Sequence, residues 1–82
     1  MIVTTFVYRD TLFDLQLPAD ILLADLLVWI LEYVNRLFNE NLSSDNVALI
    51  LDRKEEVIRT DMTLDESGVR NGDYITVFNM NS

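Results

Sequence analysis

The stretch Leu15-Gln16-Leu17-Pro18-Ala19-Asp20-Ile21-Leu22-Leu23-Ala24-Asp25-Leu26-Leu27 changes its apolar period in the middle. Up to Leu17 apolar and polar residues alternate, with Phe13, Leu15 and Leu17 set against Asp14 and Gln16, which is the pattern of a half-buried strand. Pro18 cannot donate to a strand ladder and ends that pattern, and Asp20 is a plausible cap for a helix. From about Leu22 to Phe38 the spacing is helical: at about 100° per residue Leu23, Leu26, Leu27, Ile30, Val34 and Leu37 share one side, flanked by Leu31 and Phe38. Asp25, Glu32 and Arg36 lie opposite, so the helix is amphipathic and must pack on another layer.

Upstream, Ile2 to Tyr8 is β-branched and aromatic, and Arg9-Asp10-Thr11 separates it from a strand at Leu12 to Leu17, which reads as a β-hairpin. The register of the first strand stays open. A two-residue turn at Arg9-Asp10 pairs Phe6 with Phe13 and turns Ile2, Thr4 and Phe6 inward, whereas a slip of one residue buries Val3 and Val7 instead. Downstream, Asn39 to Asn46 is an Asn-, Ser- and acid-rich loop. Val47 to Leu51 is a short strand, Arg53-Lys54-Glu55 a polar turn and Val57-Ile58 a return strand. Thr63 can cap a brief helix through Glu66 with Gly68 as its left-handed stop, and Asn71-Gly72 turns the chain into a last strand at Tyr74 to Phe78.

The order ββαβββ implies an α+β architecture. It is a β-grasp: a mixed sheet of four to five strands, one long helix on a single face, and the last strand parallel to the first. Residues 1–82 are expected to form one domain, since no repeat, low-complexity tract or linker interrupts them.

Composition excludes most chemistry. The chain has no cysteine and no histidine, which removes disulfides, thiolate metal sites, the usual general base and any Ser-His or Cys-His pair. The acidic clusters Asp52 with Glu55-Glu56, and Asp61 with Asp65-Glu66, lack the alternating spacing and central glycine of a calcium loop. No enzyme activity, cofactor or metal is expected. A net charge of −8, from 14 acidic and 6 basic residues, opposes nucleic acid and anionic lipid. The apolar run Leu26 to Leu31 is far short of the roughly 20 residues that span a bilayer, and the amino terminus shows no signal-peptide pattern. The expected compartment is the cytoplasm, and the expected partners are proteins.

The stretch from Leu15 to Leu27 resembles the YukD-like family, as does Leu64-Asp65-Glu66-Ser67-Gly68-Val69-Arg70-Asn71-Gly72-Asp73-Tyr74. Members are small ubiquitin-fold accessory proteins of bacterial type VII (ESX-like) secretion systems. The amino-terminal cytoplasmic domain of EccD membrane subunits is similar: it shares a strand ending in Leu-x-Leu-Pro and a Gly-Val-x-x-Gly-Asp before the last strand. The resemblance implies a non-catalytic adaptor that binds cytoplasmic domains of a membrane secretion complex without membrane insertion of its own. The alternative is a ubiquitin-fold regulatory or interaction module outside secretion. EccD subunits continue into membrane spans, whereas this sequence ends at Asn79-Met80-Asn81-Ser82, so a stand-alone form is expected. It has no terminal Gly-Gly, so conjugation and thiocarboxylate transfer are not expected.

Two surfaces compete as the binding site. On the helix, Trp29 with Leu22 and Tyr33 on one flank, and Val28 also facing outward, are too apolar for a fully solvated face. They either lap over the sheet edge as peripheral core or form a surface for a partner or for a homodimer. On the sheet, if Leu49, Leu51, Ile75 and Val77 face the helix, then Ile50, Tyr74, Thr76 and Phe78 face outward. By resemblance that is the face ubiquitin-like domains commonly present to receptors.

Overall fold

A computed structural model describes residues 1–80. Residues 81 and 82, with which the expected stand-alone chain ends, lie outside the described residues. The elements run β1 (Ile2–Tyr8), β2 (Thr11–Leu17), α1 (Leu23–Phe38), a 3-10 turn (Ser44–Asn46), β3 (Val47–Leu51), β4 (Glu56–Val57), α2 (Leu64–Ser67) and β5 (Tyr74–Asn79). The strands form one sheet in the order β2-β1-β5-β3-β4. β1 runs parallel to β5, and the other neighbours are antiparallel. This is the β-grasp arrangement.

The turn settles the register of β1. Arg9 and Asp10 both have positive φ, at 51° and 62°, the handedness that matches the twist of a two-residue hairpin. Phe6 therefore pairs with Phe13, and the unbroken ladder runs from Tyr8–Thr11 to Ile2–Leu17. Thr4, Phe6 and Tyr8 are buried and Ile2 is half-buried, while Val3 is exposed. The alternative in which Val3 and Val7 are buried is not adopted.

One face of α1 closes the core. Leu23, Leu26, Leu27, Ile30, Leu31 and Val34 pack with Phe6, Leu17, Leu49, Leu51, Ile75 and Val77 in one apolar cluster. Leu37 departs from expectation: it is 53% exposed. Toward its end the helix leans on Phe38, whose ring meets Tyr8 edge-on at 4.9 Å, so the buried stripe shifts toward Leu31 and Phe38 and leaves Leu37 at its rim.

Asp20 is not the cap of α1. The cap position is Leu22, with no side-chain cap, and the first amides are satisfied from elsewhere: Leu23 N–H donates to Met62 O at 2.8 Å and Ala24 N–H to Thr60 O at 2.9 Å. Leu22 also bridges Thr63, so a tertiary contact supplies what a local side chain was expected to supply. The brief helix α2 is capped as read. The Thr63 hydroxyl accepts from Glu66 N–H, the Glu66 carboxylate accepts from Thr63 N–H, and Gly68 stops the helix at φ 83°. The return strand is Glu56–Val57 rather than Val57-Ile58, because Ile58 turns into the core while Val57 pairs with Ile50.

Candidate protein-interaction surfaces

The sheet face away from the helix carries a row that crosses every strand and is apolar on all of them but β5, where Thr76 stands. Reading the pairings across the sheet gives Leu12 on β2, Val7 on β1, Thr76 on β5, Ile50 on β3 and Val57 on β4. Its ends are the most open: Leu12 is 58% exposed and Val57 65%. Ile50 is half-buried between Val57 and Thr76, and Tyr74 and Phe78 flank the row with about half of their surface in solvent. The residues expected on this face, Ile50, Tyr74, Thr76 and Phe78, are therefore together. Leu12, Val7 and Val57 were missed there. The alternation that turns Phe13 inward also turns Leu12 outward, so that residue had a signal; Val57 joins only through its pairing with Ile50.

Polar contacts hold the margins of the row. The Thr5 hydroxyl donates to Asp14 and the Thr76 hydroxyl to Asp52, each at 2.7 Å, which fixes two carboxylates on the open face. Beside β5, Asp73 is nearly buried and accepts from Arg53 Nε at 2.9 Å, Arg53 Nη2 at 3.0 Å and Arg70 N–H at 2.8 Å. The hydrogen bonds from Arg53 hold the Asp73 carboxyl below the usual range against the opposing effect of burial, with the Arg70 amide assisting. Arg53 also donates to Gly68 O, so one side chain ties the β3–β4 turn to the end of α2. Asp61, from the second acidic cluster, pairs with Arg59, whose hydrogen bonds lower its pKa. Among the described residues no group of carboxylates is placed to hold a metal ion.

The helix flank divides into two. Tyr33 reaches the β2 side, its ring centroid 5.3 Å from that of Phe13, which itself stacks on Phe6 at 5.8 Å. Trp29, one turn earlier on the same flank, is 54% exposed, and among the described residues it makes no ring contact. Leu22 lies along that flank at the start of the helix, and Leu37, which was not foreseen here, extends it at the other end. Val28 is not part of it. The ridge of Asp25, Glu32 and Arg36 intervenes, and Val28 instead borders a shallow depression with Leu31, Asn35, Leu42 and Ser43. Asn35 shapes that depression by a reciprocal pair of hydrogen bonds with the Leu42 backbone, at 2.8 and 3.0 Å.

Glu40 is the polar counterpart at the helix end. It accepts from the Tyr8 hydroxyl and pairs with the Arg9 guanidinium at 2.8 Å, joining the first hairpin to the loop after α1. Burial, reinforced by the hydrogen bond and charge of Glu40, raises the Tyr8 pKa. Among the described residues no helix is long and apolar enough to cross a membrane.

Comparison with known proteins gives the arrangement a family. A family model described as the WXG100 protein secretion system (Wss) protein YukD matches residues 1–77. Among curated protein sequences no relative matches. Among solved structures, the ubiquitin-like domain of the Mycobacterium tuberculosis type VII secretion system protein ECCD1 superposes with TM-score 0.76 at 16% identity, covering 95% of this chain and 97% of that one. A chain of the MycP5-free ESX-5 inner membrane complex gives TM-score 0.67 at 20% identity, covering 95% of this chain and 20% of that one. ATBAG1, solved in complex with HSP70, gives TM-score 0.77 at 14% identity over 96% of this chain, which spans only 40% of its length. With a family model covering nearly all of its residues and a ubiquitin-like fold shared with ECCD1, the chain belongs to the YukD family of the WXG100 protein secretion system.

Proposed function

We propose that this chain is a non-catalytic, non-conjugated adaptor of a bacterial type VII secretion system. It works in the cytoplasm as one ubiquitin-like module, docking non-covalently on a cytoplasmic domain of the membrane complex. The observation that carries the reading is the largely apolar row across the open sheet face, from Leu12 through Ile50 to Val57, flanked by Tyr74 and Phe78. Half-exposed aromatic and aliphatic side chains gathered on one sheet face are what protein interfaces use, and the carboxylates of Asp14 and Asp52 beside them steer the face toward a basic partner. Membership of the YukD family and the shared fold with a chain of the ESX-5 inner membrane complex support secretion as the setting. The absence of histidine and cysteine supports a binding role over catalysis, and both glycines, Gly68 and Gly72, serve turns within the fold.

The test is affinity capture from the native cytoplasm and membrane fraction. Wild-type protein should retain a component of the secretion complex, and Ile50→Ala combined with Phe78→Ala should lose it while the far-UV circular dichroism stays unchanged. Unchanged capture by the double variant would remove the sheet face. Retention of partners unrelated to secretion would favour the competing reading of a ubiquitin-fold regulatory or interaction module outside secretion; the same fold occurs in ATBAG1, solved in complex with HSP70.

A further inference from the structure

β2 is the outer strand of the sheet, and its free side is unusually complete for an edge. It runs for 7 residues, Thr11–Leu17, in unbroken register with β1, with neither a bulge nor an internal proline or lysine. The direction of its backbone groups follows from β1. Thr5 N–H donates to Asp73 O at 2.9 Å and Val3 O accepts from Gly72 N–H at 2.8 Å, so the odd residues of β1 serve the β5 side. The even residues Ile2, Thr4, Phe6 and Tyr8 then serve β2 through Leu17, Leu15, Phe13 and Thr11. That leaves the N–H and C=O groups of Leu12, Asp14 and Gln16 pointing off the sheet, and all three residues are exposed.

We propose that this free edge of β2 is a strand-addition site for an extended basic segment of a partner protein, whose alternate apolar side chains seat beside Phe13, Leu15 and Tyr33. The inference rests on the protein-binding role above and adds a second contact to it. A strand added at Leu12, Asp14 and Gln16 continues the ladder, and its alternation is imposed by β2. Side chains opposite Phe13 and Leu15 fall on the helix side, where both residues are only half-buried and Tyr33 stands 5.3 Å from Phe13, with Trp29 one turn away. The side chain opposite Asp14 falls on the open face beside its carboxylate. The segment that fits reads apolar-basic-apolar.

Charge decides between a partner and a second copy. Each chain carries a net charge of −8, and antiparallel pairing of two β2 edges about their middle residue would set Asp14 against Asp14. A cationic segment gains where a second copy loses.

The probe is the blocked peptide Ser-Thr-Val-Lys-Val-Thr-Ser, titrated into isotope-labelled protein and followed by amide NMR. Binding should shift the amides of Leu12, Asp14 and Gln16 and slow their exchange with solvent. Replacing the peptide's lysine by glutamate, or using Asp14→Lys, should weaken binding about tenfold. Gln16→Pro, which removes an outward N–H that serves no native ladder bond, should abolish it with the fold intact. Ile50→Ala with Phe78→Ala should leave peptide binding unchanged, so failure of the sheet-face reading and failure of this one are distinguishable. Shifts confined to the Ile50 and Phe78 face, equal binding of the glutamate peptide, no shift at millimolar peptide, or self-association through β2 would each overturn the proposal.

Discussion

The two hairpins of this sheet solve the same problem by different means. β1 and β2 are 7 residues each, joined by a two-residue turn, and are held by a continuous ladder and by Phe6, Tyr8 and Leu17 in the core. β3 returns through a β4 of only 2 residues after the Asp52–Glu55 turn, and polar side chains compensate for the short ladder: Arg53 on Asp73 and Gly68, and the Thr63–Glu66 box capping α2. The difference teaches where each half is vulnerable. A short edge strand also offers little to an incoming chain, whereas a long regular one offers a full row of donors and acceptors, so the same sheet is closed at β4 and open at β2.

The largest effect should come from the ladder half. Phe6 is fully buried and stacks on Phe13, so Phe6→Ala is expected to cost about 3–5 kcal/mol, read from urea denaturation. In the polar half, Asp73→Ala strips three donors of their acceptor and should cost about 2 kcal/mol. That contribution depends on pH. Because Arg53 lowers the Asp73 pKa in the folded state, the stabilisation is present above the unfolded carboxyl value of about 4 and is lost as pH falls below it through the folded value. Denaturation midpoints between pH 2 and 6 should therefore fall less steeply for Asp73→Asn than for the wild type; identical slopes would refute the pairing.

Smaller effects separate the caps and turns. Thr63→Ala removes the capping box and should cost about 1 kcal/mol, with faster amide exchange confined to Leu64–Ser67 and its neighbours. The turns should respond in the opposite sense. Asp10 in the first hairpin and Glu55 in the second hold positive φ, at 62° and 53°, so Asp10→Gly and Glu55→Gly should each change stability by less than about 1 kcal/mol, in the stabilising direction. Thermal melts will show whether the two turns differ. A loss of stability at either position would mean that its side chain contributes more than the relief of backbone strain.

The candidate surfaces were legible in part. Tyr74 and Phe78 follow from alternation once Ile75 and Val77 are taken as core, and Trp29 and Tyr33 follow from helical spacing. Their partition did not follow: only the packed structure sets Tyr33 on Phe13, leaves Trp29 open and puts Val28 across the charged ridge of Asp25, Glu32 and Arg36. Leu37 shows the limit of an ideal 100° wheel, because the way a helix end leans depends on what it meets.

The sequence by itself determined the elements. The period change across Pro18, the Thr63-Leu64-Asp65-Glu66 box with Gly68, and the Asn71-Gly72 turn are short-range signals whose physics is complete within a few residues. The register of β1, which alternation left open, was set by the conformation of the Arg9-Asp10 turn. Tertiary structure alone decided two things: the satisfaction of the first α1 amides by Thr60 and Met62 rather than Asp20, and the row from Leu12 to Val57 across the sheet. Each depends on groups far apart in the chain, and a pattern of neighbours carries no information about which distant carbonyl or side chain will arrive beside it.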